Sequence, residues 1–153
     1  MNNMSQLNVI LQDIQTLLAS NAGGVKAYRA DYVPTELEGK RDTGYIEWDF
    51  ELDKFEQNSC EYTGNVFGNL TATSWAVTRS IRDAVYEDVL DLLMPATNGY
   101  RKQVAPRDLG SCYLHYADLV DIREFALELE GHQSPETAGI YASFNLKLSY
   151  LTA

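Results

Sequence analysis

Ile140, Ala142, Phe144, Leu146, Leu148 and Tyr150 alternate with Tyr141, Ser143, Asn145, Lys147 and Ser149. A period of two places the first set on one side of an extended chain and the second on the other. The segment therefore predicts a long strand with one face buried and the other wet, and it excludes an all-helical fold. Only Thr152 and Ala153 follow it. The expectation is a chain that works as a folded body rather than through a disordered tail.

Two earlier segments carry the same pattern with charge added. From Tyr45 to Phe55, Ile46, Trp48, Phe50 and Leu52 alternate with Glu47, Asp49, Glu51 and Asp53. From Arg123 to Glu130, Phe125, Leu127 and Leu129 alternate with Glu124, Ala126, Glu128 and Glu130. If these strands share one sheet, its open face carries seven carboxylates. Like charges directly opposite one another on adjacent strands are destabilising, so a purely structural sheet would interleave Lys and Arg. The face reads either as plain solvated surface or as a surface that repels a polyanion or attracts a basic partner.

The chain has 153 residues, of which 45% are hydrophobic and 22% charged. That length and balance predict one soluble domain with a single core. A formal net charge of -10 argues against non-specific nucleic-acid binding, which needs Lys and Arg to neutralise phosphates. Met1 to Ser20 shows no basic n-region and no uninterrupted apolar run, so neither a secretory signal nor a membrane span is expected. The protein is expected to be made and kept in a cytoplasm. Cys60 and Cys112 are too far apart for a CxxC motif, and two free, inert thiols are the default.

Leu7, Ile10, Leu11, Ile14, Leu17 and Leu18 recur at helical spacing behind a plausible Ser5 cap, and Asn21-Ala22-Gly23-Gly24 stops that helix. An extended segment, Val25 to Val33, closes at Pro34. Thr35 to Gly44 is a polar loop, long and charged enough for an interface arm, and includes Lys40 and Arg41. Cys60 to Val77 is ambiguous: Thr71, Thr73, Trp75 and Val77 alternate like a strand, yet Trp75 also fits the stripe of the helix that follows. That helix reads from a capping box at Ser80-x-x-Asp83, buries Ile81, Val85, Val89, Leu92 and Leu93, and ends at Pro95. Ala96 to Leu109 reads as a loop holding Arg101, Lys102 and Arg107, the main basic cluster. Ser111 to Asp121 fits a strand or a short helix. A hairpin with a loop through Gly131, Pro135 and Gly139 completes an α+β fold, a mainly antiparallel sheet with two helices on one face.

Catalytic motifs are scarce. His115 and His132 are the only histidines, which excludes a His-rich metal site and HExxH, and there is no GxGxxG, Walker-type or GxSxG sequence. Gly64-Asn-Val-Phe-Gly68 lacks the lysine of a phosphate loop. A carboxylate pair from Glu47 to Asp53 would need environments that separate its pKa values, whereas a regular strand face exposes all four alike. The spacing and glycine of a calcium loop are also missing. No catalytic, cofactor or metal residues are assigned. Ten tyrosines, mostly in extended segments, suit either simple β-propensity or a sheet surface that another protein covers.

The helix Leu7 to Leu18, the helix Ser80 to Met94 and the closing hairpin Arg123 to Leu151, ending in Phe144-Asn-Leu-Lys-Leu-Ser-Tyr150, resemble together the tail terminator (tail completion) proteins of tailed bacteriophages. The resemblance lies in the pattern of elements and covers most of the chain, without a diagnostic motif. It implies a homo-hexameric ring that caps the tail tube and joins it to a neck or connector protein. It further implies a place in the virion tail or neck after assembly in the host cytoplasm, with DNA passing nearby unbound and with no cofactor and no membrane. Glu47, Asp49, Glu51, Asp53, Glu124, Glu128 and Glu130 would then face the lumen or a basic partner. Lys40, Arg41, Arg101, Lys102 and Arg107 would lie in interface loops. Another head-tail joining protein, a tube subunit, or a monomeric ligand-binding module or small enzyme are the alternatives.

Overall fold

The computed structural model describes residues 3–34, 44–57, 63–76, 78–97, 100–101, 107–129 and 132–151. Helix α1 (Asn3–Ala19) leads into strand β1 (Lys26–Arg29), then β2 (Tyr45–Gln57) and β3 (Thr63–Ala76). Helix α2 (Arg79–Leu93) precedes three two-residue strands, β4 (Ala96–Thr97), β5 (Tyr100–Arg101) and β6 (Arg107–Asp108). The long strands β7 (Cys112–Leu129) and β8 (His132–Leu151) follow. The main sheet has the order β1-β2-β3-β8-β7-β6, antiparallel except for the β1–β2 pair, and β4 pairs with β5 separately. This is the α+β architecture that the sequence predicts.

Both helices pack on one face of the sheet. Ile10, Ile14 and Leu18 of α1 and Val85, Val89, Leu90 and Leu93 of α2 share one core with Ile46, Trp48, Phe50, Val66, Leu70, Ala72, Phe144, Leu146 and Leu148. The final strand behaves as its alternation predicts: Ile140, Ala142, Phe144, Leu146, Leu148 and Tyr150 are all buried. Phe50 lies across Gly68, where an added Cβ would stand 2.3 Å from Phe50 Cζ and 2.6 Å from the Glu51 carbonyl oxygen. Only glycine leaves room there, because a backbone carbonyl cannot rotate away.

Several local expectations are corrected. Helix α1 already begins at Asn3, so Ser5 lies inside it rather than at its cap. The N-cap of α2 is Thr78, whose hydroxyl accepts from Ile81 N at 3.3 Å, and Asp83 of the expected capping box instead accepts from Arg82. The ambiguous segment containing Trp75 is strand β3, and Ser111 to Asp121 falls almost wholly in β7. Parts of the Ala96 to Leu109 loop form β4, β5 and β6, and the expected loop through Pro135 and Gly139 lies inside β8. The strand expected from Val25 to Val33 is confined to β1. The turn after α1 does form as expected: buried Asn21 donates to the Leu18 and Val25 carbonyls and accepts from Val25 N, while Gly24 takes a φ of 68°.

Candidate functional site

The sheet face opposite the helices is built as rows across four strands. Reading β2, β3, β8 and β7 in register, one row is Glu47, Thr73, Tyr141 and Arg123; the next is Asp49, Thr71, Ser143 and Asp121; a third is Glu51, Asn69, Asn145 and Asp118. Carboxylates therefore occupy two columns, on β2 and β7, and in these three rows the two strands between them carry no charge. At a strand spacing of about 4.8 Å the columns stand roughly 14 Å apart. That separation answers the repulsion expected of an acidic sheet, since no two of these acids lie directly opposite each other on neighbouring strands.

The neutral middle is hydrogen-bonded across strands. Asn69 Nδ2 donates to Ser143 Oγ at 2.8 Å, and Ser143 Oγ donates back to Asn69 Oδ1 at 3.1 Å. Thr73 and Ser143 are buried despite facing away from the helices. One step further along, Lys54, Phe67, Lys147 and Tyr116 form a fourth row, with both ammonium groups 5.6 Å from the Phe67 ring centroid. Lys54 is paired with Glu56 at 2.6 Å and Arg123 with Asp121 at 2.9 Å. Much of the positive charge on the face is thereby answered locally. His115, the extra residue of a bulge in β7, bonds Ser149 Oγ at 2.7 Å, and burial followed by nearby Lys147 holds its pKa below the usual imidazole value.

The predicted acidic residues divide on placement. Glu47, Asp49 and Glu51 come together on the open face, and Asp53 is the extra residue of a bulge between Leu52 and Lys54. Glu124 does not join them. It pairs in register with Ile140 on the helix-facing side and accepts from buried Arg82 of α2 at 2.9 Å. The bulges at His115 and Val120 each reverse the in-out order along β7, so together they cancel and Glu124 has the same helix-facing parity as Cys112 and Leu114. Asp118, between the two bulges, and Asp121, just beyond the second, lie on the open face, two acids the alternation did not reveal. The adjacent apolar pair Leu119-Val120 was the available signal, because it interrupts a strict period of two. Glu128 pairs in register with Gln133 near the end of β7, and Glu130 lies outside the described residues.

The basic residues also divide. Arg107 is not a free loop residue: its guanidinium reaches the Leu92 carbonyl in the last turn of α2, and burial lowers its pKa. A cation at that position suits the negative end of the helix dipole. Arg101 lies in β5, and Lys40, Arg41 and Lys102 lie outside the described residues.

Glu47 is half-buried; burial first, and then repulsion from Asp31, push its pKa above the ordinary carboxylate value. The folded protein therefore holds this proton more tightly than the unfolded chain. The associated stability is fully present below the unfolded carboxylate pKa and is lost as the pH rises through the folded value. Glu47→Gln is expected to raise the melting temperature near pH 7 and to leave it almost unchanged near pH 3. Thermal unfolding at the two pH values checks this, and equal shifts at both would assign the effect to packing instead.

Among the described residues no group of three or more His, Cys, Asp and Glu could hold a metal ion, and no helix is long and apolar enough to cross a membrane. Cys112 is buried and bonded to Asp13, and its pKa is pushed up by burial and by that carboxylate. A cleft of about 560 Å³ beside α1 is lined by Asn8, Leu11, Gln12, Gln15, Thr16, Arg29 and Trp48. That lining offers side-chain amides, the Thr16 hydroxyl, a guanidinium and an indole ring, groups that can hydrogen-bond to or stack on a ligand.

No family model matches the chain, and no curated protein matches it. Among solved structures, a chain of the virion of a native gene transfer agent (GTA) particle is similar over 92% of this chain and 91% of its own length. Its TM-score is 0.48 and its sequence identity 13%.

Proposed function

We propose that this chain is a structural protein of a phage-type virion, a tail terminator whose copies close into a ring of six that caps the tail tube and meets the neck. The observation that carries this reading is the open sheet face, with two acidic columns on either side of a neutral, cross-bonded middle and both helices on the far side. A face of that kind repels a passing polyanion, because it offers few free cations to hold phosphates. It needs no cofactor and no acid-base chemistry. DNA would run past Glu47, Asp49, Glu51, Asp118 and Asp121 without specific contact, and the chain's other surfaces would meet the next copy, the tube and the neck.

Negative-stain microscopy of the purified protein, with its mass in solution over a concentration series, tests the reading. Closed rings of six are expected. Long tubes would reassign the chain to the tube itself. A monomer at every concentration that also fails to cap purified tubes would overturn the proposal. A small ligand that raised the melting temperature of such a monomer would direct attention to the cleft beside α1.

A further inference from the structure

The two edges of the main sheet are finished differently. On the β1 side, Gln15 of α1 donates to the Ala27 carbonyl at 2.8 Å, so a helix side chain occupies that edge. On the other side, β6 covers β7 only at Tyr113 and Leu114, and among the described residues no strand pairs along that edge from His115 to Leu129. Unpaired edges of this length are templates for another strand, and proteins commonly blunt them with bulges and charge. Here the bulges at His115 and Val120 guard the first half, and a third irregularity at Leu127 interrupts the far end. From Asp121 to Ala126 the register with β8 is unbroken. Val120 and Ile122 at its start are 53% and 49% exposed.

We propose that this edge pairs with the same edge of a second copy, β7 against β7 in antiparallel register about a two-fold axis at Ile122. Charge selects the register. Centring the pair on Asp121, Arg123 or Glu124 would set that residue against its own like charge, which is destabilising. Centring it on Ile122 sets Asp121 against Arg123 of the other copy, twice by symmetry, and brings the two exposed Ile122 side chains together. Asp121 and Arg123 both lie on the open face and already meet at 2.9 Å within one chain. The exchange of partners therefore leaves no charge stranded. Such a two-fold contact is self-complementary and cannot by itself close a ring whose subunits all point the same way. It is a surface distinct from the ring contacts proposed above and does not rest on them.

Oxidative cross-linking tests the register directly. In a Cys60→Ser background, Ile122→Cys is expected to form a disulfide dimer, since opposed residues of an antiparallel pair have Cα atoms about 4.5–5.5 Å apart, within disulfide reach. Val120→Cys, which would oppose Glu124, is expected not to cross-link. In sedimentation equilibrium, Arg123→Asp is expected to weaken pairing about tenfold, and the swapped variant Asp121→Arg/Arg123→Asp to restore it. All of these positions are substantially exposed, so folding is not at stake. Failure of Ile122→Cys to cross-link, equal cross-linking at Val120, or association indifferent to Arg123→Asp would overturn the proposal. Microscopic rings that persist in Arg123→Asp would leave the terminator reading intact.

Discussion

Phe144→Ala is expected to destabilise the protein by about 3–5 kcal/mol, seen as a lower urea midpoint with an unchanged slope. Phe144 is fully buried in a strand flanked on both sides, with Leu70 and Leu119 as its register partners. Its ring lies in the one core that both helices share with the sheet. Removing it forfeits the transfer of a large aromatic side chain and leaves a cavity that neighbours pinned by two ladders cannot collapse into. A small domain is stable by only about 5–15 kcal/mol, so the loss takes a large share of the total. Asn145→Ala, one residue on and exposed to solvent, is expected to cost within about 0.5 kcal/mol. A difference of less than about 1 kcal/mol between the two variants would refute the assignment of inward and outward faces.

The second large effect concerns charge. Replacing Glu47, Asp49 and Glu51 together with Lys converts one acidic column of the open face into a basic one while leaving both helices and the core untouched. The native chain, at a formal net charge of -10, should show no measurable affinity for duplex DNA at about 0.1 M salt. The triple variant is expected to bind, with affinity falling steeply as salt rises, because each lysine set against a phosphate releases a counterion. In an assembled particle the same change should slow DNA delivery by about tenfold or more while rings still form. Fluorescence anisotropy on labelled DNA and infectivity counts are the two readouts. Unchanged infectivity would remove these residues from the DNA path.

Much of the fold is legible in the sequence because the signals are local. An alternation such as Ile140 to Tyr150 is dictated by the pleat of an extended chain, and a stripe such as Ile10, Ile14 and Leu18 by the helical repeat. The acidic strand from Tyr45 was readable for the same reason. Its only break, two polar residues between Leu52 and Phe55, marks the bulge at Asp53. Parity failed in β7, whose register with β8 shifts at three places, so that no single alternation runs along the strand. Glu124 turned toward Arg82, and Asp118 and Asp121 moved to the open face.

The sequence by itself determined which segments are two-faced, where the helices lie, and that the chain is strongly acidic, because each of these depends on residues within a turn or a few strand positions of one another. Only the tertiary structure decided that two strands without carboxylates separate the acidic columns, that Arg107 belongs to the end of α2, and that, among the described residues, the β7 edge is unpaired beyond Leu114 while a helix side chain bonds the β1 edge. Those outcomes depend on which distant segments become neighbours and on where the register between them slips. Pairing free energy summed over a whole sheet sets that slip, so no short stretch of sequence encodes it.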